Sequence, residues 1–352
     1  MALPVASIGD LVNGVLSKWD KMKYTDLTGD YQYYIAVPKI LKDKKITVEG
    51  GATFSWQVMK GVSGNAKAVL PYETDTPNQT DQLIQASSGW YHVRSSHSYD
   101  EIEMSMNDAG SEKIIDLIKV RRADARISLA QMLEARMWQL PNTDSNSKEQ
   151  FKGVPYSVMY SASTGFNGGN PTGFSDCYGI SASTYARWRN YTAQYTNVNR
   201  DDLLEKLRQA MWSSAFKSPL VPAPDDLSTG DDPAIYVNYA TLALMRQMAE
   251  DRNENLGFDL GYNKGTLMCN GAPIEAVPYW DANATITTAA PVIGINWGSY
   301  KCATLKGRYM KEEPAIRSGT QSAVWTVFVN ASLQMKCTDR RRQFMLAKSA
   351  PW

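Results

Sequence analysis

Few side chains in this sequence are placed to do covalent chemistry. Its two histidines, His92 and His97, stand five apart in a stretch that alternates like a β-strand. That spacing sends them to opposite faces, which argues against a shared metal ion or an acid/base pair. The stretch GFDLGYNKGT, residues 257–266, has the glycines and lysine of a phosphate loop, but the order Lys264-Gly265-Thr266 is wrong and no strand feeds into it. Asp225-Asp226 and Asp231-Asp232 read as loop carboxylates that cap helices and solvate turns. Cys177, Cys269, Cys302 and Cys337 are scattered without a C-x-x-C pair, as reduced buried thiols are. No nucleophile elbow and no zincin motif occurs. These absences predict a protein that is not an enzyme and holds no cofactor or metal.

One charged pattern stands out. Lys119, Arg122 and Arg126 fall at i, i+3 and i+7 of a helical stretch, so they share one face. Two readings compete: a solvated, salt-bridged face, or a strip presented to phosphate or to an acidic partner. The chain as a whole gives no field to help, because 37 basic and 36 acidic residues leave a net charge of +1. Any contact with nucleic acid has to be local. The N-terminus lacks the basic region of a signal peptide and no run reaches the ~20 apolar residues of a membrane span. The expectation is a protein made and folded in a cytoplasm, with no membrane partner.

With 352 residues, 43% of them hydrophobic and 21% charged, the chain has material for two or three cores. Residues 111–140 predict one long helix, ended by Pro141, with Ile114, Ile118, Ala125, Leu129 and Met132 as its apolar stripe and Asp116, Asp124 and Glu134 on the back. Residues 321–337, QSAVWTVFVNASLQMKC, predict a strand of about three times the usual length. Trp325, Val327, Val329, Ala331, Leu333 and Met335 alternate on one face. The other turns from apolar (Val324, Thr326, Phe328) to polar (Asn330, Ser332, Gln334, Lys336), which predicts a strand buried on both sides at its start and wet on one side at its end. A compact globule has little room for either element, whereas a plate-like subunit does.

Residues 46–106 predict a two-stranded hairpin with a long polar tip. Phe54, Trp56 and Val58 alternate on one strand and Ile102, Met104 and Met106 on the other. A lone ribbon is marginal in water and prone to edge pairing, so it needs a partner surface, most economically a neighbouring copy. Ahead of it, Ile8, Leu11, Val12, Val15, Leu16 and Trp19 form an amphipathic helix on an otherwise irregular arm. Past the long helix comes a Gly/Ser/Asn-rich connection with a short strand near Val158. Then follow a helix from about Arg200 with Leu203, Leu204, Leu207, Met211 and Trp212 as its apolar face, a strand over 235–237, a helix capped by Asn238, and a hairpin turned at Asn270-Gly271. Residues 200–295 thus read as an α+β lobe inserted between the long helix and the long strand.

This order of parts, with FKGVPYSV in the connection, GTLMCNGAPIEAVPYWD in the lobe, INWGSYKCATLKGRYM on the return and RRRQFML near the end, resembles the major capsid proteins of tailed bacteriophages, the Hong Kong 97-like fold. The resemblance implies an α+β subunit with an N-terminal arm (1–45), an extended loop (46–106), a peripheral domain (107–199 and 296–352) built on a spine helix, and an axial domain (200–295). It implies self-assembly through pentamers and hexamers into an icosahedral shell around double-stranded DNA, in the host cytoplasm, with a scaffolding protein and a portal as assembly partners. A decoration protein on the outside is compatible with it. Trp19, Phe54, Trp56, Trp90, Tyr91 and Arg94 are then expected at contacts between subunits, and Lys119, Arg122 and Arg126 at the inner surface, in weak contact with DNA or scaffold. Two rivals stay open: an encapsulin-type compartment of the same fold, and a carbohydrate-binding protein or enzyme using the 10 Trp and 19 Tyr as stacking platforms.

Overall fold

The computed structural model describes residues 33–40, 45–61, 65–74, 81–107, 117–144, 150–216, 232–250, 267–321 and 323–352. The arm helix with Trp19, residues 111–116 of the long helix, the 257–266 stretch and Asp225-Asp226 lie outside them. The chain divides into two compact units. Among the described residues, the first takes in His92–Leu133 and Gly307–Ser332, and the second Tyr33–Tyr91, Glu134–Lys306 and Leu333–Trp352.

The first unit packs one helix on one sheet. The spine helix spans Leu117–Met137, which is about 32 Å at 1.5 Å per residue. Its buried positions in this unit are Ala125, Leu129 and Leu133, one every fourth residue, whereas Met132 is only half-buried. The long strand spans Val324–Cys337, 14 residues. In this unit it pairs with Lys311–Glu312, with Ile316–Arg317 and with the strand Tyr91–Asp100. Ser95 on that last strand donates its hydroxyl to the Ala125 carbonyl of the spine helix at 2.8 Å. The strand ends where Asp100 accepts the Ile102 amide at 2.8 Å and starts a helix, Glu101–Asn107. Residues 102–106 are therefore helical, not the strand expected from their alternation. Asp100 and Glu103 stand at the spacing of a capping box, and this local hydrogen bonding outcompetes a period-two pattern only three residues deep.

The expected wet end of the long strand is also corrected. Val324 to Phe328 are half-buried, while Ala331 to Met335 are buried on both faces. Ser332 and Gln334 are 5% and 2% exposed. They tolerate burial because each is paired: Ser332 with His92 Nδ1 at 2.8 Å, and Gln334 with the Lys152 amide at 2.8 Å and the Gln150 carbonyl at 3.1 Å.

The second unit is built on a seven-stranded mixed sheet, in spatial order Gly165–Gly168, Asn190–Gln194, Phe344–Ala347, Val292–Asn296, Pro233–Val237, Ala272–Ala276 and Met268–Cys269. The lobe expected over 200–295 thus takes in strands from both flanking stretches. Helices Glu205–Ser214 and Tyr239–Glu250 cover one face through Leu207, Ala210, Leu242 and Met245, joined by Leu203 of the turn that precedes the first helix. On the other, Trp138 and Trp297 meet Tyr236 edge-on, and Trp280 meets Trp138 edge-on. Gly294 lies opposite Phe344, where a Cβ would come within 2.0 Å of the ring, so only glycine fits. The predicted turn is present, with Asn270 and Gly271 at φ 46° and 81°, and Asn238 caps its helix by accepting the Thr241 amide. The same unit holds a smaller sheet in which Lys45–Val48 runs parallel to Tyr300–Leu305, itself antiparallel to the last residues of the long strand.

Three further expectations change. Trp212 is 82% exposed: a π-helical turn over Arg200–Leu204 leads into the helix, the buried stripe runs Leu203, Leu207, Ala210, Ser214, and Trp212 falls about 140° from Leu207. Val158 follows a helical turn, Val154–Ser157, begun by Pro155, and the nearest strand starts at Gly165. Glu134 is 1% exposed, not on the back of the helix. Its carboxylate accepts the Ala36 and Val37 amides at 2.9 and 3.0 Å and Trp138 Nε1 at 2.9 Å, which satisfies a buried charge and anchors residues 35–37.

Arg340 is fully buried, and among the described residues no carboxylate is bonded to it. Its guanidinium donates to the carbonyls of Ser157 (2.7 Å), Trp188 (2.9 Å) and Gly169 (2.9 Å). Arg340→Met is expected to leave three buried acceptors unpaired, at about 1 kcal/mol or more each, and to lower the thermal midpoint clearly; calorimetry of the variant checks this.

Candidate functional site

The ribbon consists of Thr53–Met59 and Leu83–Gly89, antiparallel, with Thr53 opposite Gly89 and Met59 opposite Leu83. It is shorter than the sequence suggested, because Trp90 separates its second strand from Tyr91–Asp100, which pairs elsewhere. His92 and His97 therefore stand off the ribbon. They do face opposite ways, His92 exposed and His97 buried.

At its base the ribbon rests on its own chain. Phe54 and Trp56 are 6% and 8% exposed and stack at 5.7 Å. Trp56 meets Tyr178 edge-on at 5.3 Å, with Lys336 Nζ over its ring. The Ser87 amide donates to the Tyr178 carbonyl at 2.9 Å. Trp90 packs on Phe54 and donates its Nε1 to the Gly51 carbonyl, and Tyr91 packs on Phe151. Of the residues expected at subunit contacts, Phe54, Trp56 and Tyr91 are thus covered within the chain. Trp90 is half-buried, and Arg94, in the first unit, is exposed while its guanidinium bonds Asn330 and lies over Phe328.

Away from the base the apolar surface is open. Met59 and Leu83 are 54% and 55% exposed, and in the tip Val69, Leu70 and Tyr72 are 59%, 77% and 105% exposed. Pro71 and Tyr72 form a turn closed by the Glu73 amide on the Leu70 carbonyl, with Tyr72 at φ 68°. That left-handed position is one glycine usually fills. A tyrosine there costs about 1–2 kcal/mol in backbone strain, and here its whole ring is held in water. The tip residues were missed in a stretch read as polar, although Val69-Leu70-Pro71-Tyr72 interrupts that polarity.

The basic strip lies on the first unit. Arg122 makes a two-pronged contact with Glu312 at 2.8 and 2.6 Å, and Arg126 reaches the same carboxylate at 2.7 Å. The paired arginines hold the Glu312 carboxyl below its ordinary range. Lys119 is exposed on the same helix. Two of the three cations are therefore part of a salt-bridged face, as the first reading had it. Glu312 itself was not among the residues singled out, because its partners lie far away in sequence.

The chemistry available elsewhere is small. All four cysteines are free and buried. Burial pushes the Cys177 thiol up to about 11 and the Cys302 thiol to about 12, far from a reactive thiolate at neutral pH. Among the described residues, no group of three or more His, Cys, Asp or Glu could hold a metal ion, and no helix is long and apolar enough to cross a membrane.

No family model and no curated protein sequence matches the chain. Solved structures do. The cyanophage A-1(L) capsid subunit superposes with a TM-score of 0.60 at 14% identity, over 95% of this chain and 98% of that one. The capsid of the native GTA particle gives 0.56 at 12% identity, over 95% and 97%, and the capsid of Myoviridae phage XM1 gives 0.53 at 8% identity, over 99% of both. The fold of this chain is the α+β Hong Kong 97-like capsid fold.

If Trp56 carries the base of the ribbon, Trp56→Ala is expected to remove about 3–5 kcal/mol of local packing. Limited proteolysis would then cut within 53–89 many times faster than in the parent, with the seven-stranded sheet still protected.

Proposed function

We propose that this chain is the major capsid protein of a tailed bacteriophage, assembling through pentamers and hexamers into an icosahedral shell that encloses double-stranded DNA. The observation that supports it most is the combination of a capsid fold over nearly the full length of both chains with a ribbon whose outer half exposes apolar side chains. Strain spent on pointing Tyr72 into water makes sense if another surface receives it. The receiving surface is a neighbouring copy, and each modest contact multiplies because every subunit in a closed shell makes several at once. Scaffolding protein and portal act during assembly in the host cytoplasm, and the mature place of the chain is the virion. No catalytic role belongs to this reading.

The base residues Phe54, Trp56, Trp90 and Tyr91 then act by setting the ribbon's direction, and the tip makes the contact; Trp19 and Arg94 remain contact candidates. Lys119, Arg122 and Arg126 face DNA or an acidic scaffold, and Glu312 neutralises part of the charge of the two arginines. A shell that holds its genome weakly packages and releases it more readily. A decoration protein is compatible with the exposed face but has no residue assigned to it.

The full chain, expressed alone and with its scaffold, is expected to give pentamers, hexamers, tubes or shells by light scattering and negative-stain microscopy. A protein that stays monomeric at high concentration overturns the reading, and shells that enclose only protein cargo favour the compartment. Leu70→Asp with Tyr72→Asp should lower the stability of the chain by no more than about 0.5 kcal/mol, since both are surface sites and aspartate tolerates the left-handed backbone of Tyr72 better than tyrosine does, yet cut assembly at least tenfold. Lys119→Glu should reduce DNA retention in a salt-dependent way without changing shell yield.

A further inference from the structure

Asn-Gly pairs carry chemistry of their own, because the amide nitrogen after an asparagine can attack its side-chain carbonyl and glycine leaves that nitrogen uncrowded. The sequence holds three such pairs, 13–14, 167–168 and 270–271, of which the first lies outside the described residues. The other two stand at opposite edges of the seven-stranded sheet, in opposite surroundings.

Asn167 is tied. Its Nδ2 donates to the carbonyls of Ser163 at 3.4 Å and Thr164 at 3.1 Å. Gly168 is buried and packs so closely on Asn190 that a Cβ would fall 1.9 Å from its Oδ1. Asn190 is in turn held by Met159 and by the buried Arg340. Rotation of the Asn167–Gly168 link toward ring closure therefore has to open the cluster around Arg340.

Asn270 is not so held. It is exposed, and its side-chain amide has no hydrogen-bond partner among the described residues. Gly271 is exposed too, and a Cβ there would meet nothing within 4 Å. At φ 46° and 81° the pair occupies a hairpin turn, so ring closure needs the turn to open. Little resists that: the edge strand Met268–Cys269 is two residues long and pairs with Ala272 and Pro273. Met268 is 61% exposed, and the Ile274 amide on the Leu267 carbonyl, at 2.8 Å, closes the hairpin. Short exposed edges lie at the low end of local opening free energies.

We propose that Asn270 is a self-modification site, converted by its own backbone to aspartate and isoaspartate. The Gly271 nitrogen bonds to Asn270 Cγ, the Cγ–Nδ2 bond breaks, and Nδ2 leaves as ammonia with the proton given up by Gly271. Water then opens the cyclic imide, at Cγ to give aspartate or at the main-chain carbonyl to give isoaspartate. One water is consumed and one ammonia released, with no change of oxidation state. Aspartate keeps the turn, because it accepts positive φ. Isoaspartate adds a methylene to the main chain of a loop whose length sets the register, which frees the edge strand Met268–Cys269.

Incubation of the full chain at mildly alkaline pH, followed by peptide mass spectrometry with electron-transfer fragmentation, tests this. Each rate is divided by that of the same pair in the denatured chain, so that intrinsic reactivity cancels. On that scale Asn270 is expected to convert at least about tenfold faster than Asn167, the ratio that about 1.4 kcal/mol of difference in local opening produces. Hydrogen exchange should show the Cys269 and Ile274 amides less protected in the isoaspartate form than in Asn270→Asp. Arg340→Met, which loosens the cluster around Asn190, should speed conversion of Asn167 and leave Asn270 unchanged; if that variant fails to fold, the two rates in the parent decide. Asn270 reacting no faster than Asn167, or staying intact in the folded chain while the denatured chain converts, overturns the proposal. Equal protection of the isoaspartate form and Asn270→Asp overturns the release of the edge strand. None of these readouts depends on assembly.

Discussion

Much of the second unit hangs on the satisfaction of one buried cation. Among the described residues no carboxylate is bonded to Arg340, and its charge is stabilised by carbonyl oxygens that the connection between the spine helix and the sheet brings to it. Asn190 joins the same cluster, accepting weakly from Arg340 and from the Met159 amide while donating to the Met159 carbonyl. A segment rich in glycine, serine and asparagine has little apolar surface with which to fold itself. Wrapped around a guanidinium it acquires a fixed shape, because three well-separated carbonyls must converge on one planar group.

The shape so fixed ends in the socket for the ribbon. Trp188 donates its Nε1 to the Cys177 carbonyl and Gly179 donates its amide to Asp176. Tyr178 is held in the left-handed region at φ 59° with its hydroxyl on Ser157. Non-glycine residues reach that conformation only when their surroundings over-determine it, and here Arg340, Ser157 and Trp188 do. The result is a tyrosine ring and a free carbonyl presented to Trp56 and to the Ser87 amide. A two-stranded ribbon that would be marginal alone becomes rigid at its base, which lets its outer half extend without support from its own chain.

The parts of this architecture that were legible from sequence are those whose cause is local. The spine helix and the long strand announce themselves by period, the Asn270-Gly271 turn by its demand for positive φ, and the Asn238 cap by its side chain. What stayed hidden depends on partners far along the chain. Glu134 reads as a solvent-facing acid until residues 35–37 deliver their amides to it. Ser332 and Gln334 look wet until His92 and the backbone of 150–152 pair with them. Trp212 looks like core because aromatic residues usually are, but it stands five residues, about 140° of α-helix, from Leu207 and so turns outward. The residues expected at subunit contacts are mostly aromatics on a strand, but whether such a ring meets its own chain or another's is not a property of period.

That distinction has a physical logic if, as proposed, the chain assembles into a shell. Large aromatic surface at the ribbon's base, buried internally, stabilises the monomer regardless of concentration, so the ribbon is pre-aimed before any neighbour arrives and little ordering entropy is left for assembly to overcome. The smaller apolar patch at the tip is then enough for a contact that is weak alone and strong in a closed array. Had Trp56 and Phe54 been reserved for the neighbour, the free subunit would carry a long exposed apolar strand, the arrangement most prone to pairing edge to edge without a stop. Dividing the aromatics between an internal anchor and a small external tip favours a finite shell over an aggregate.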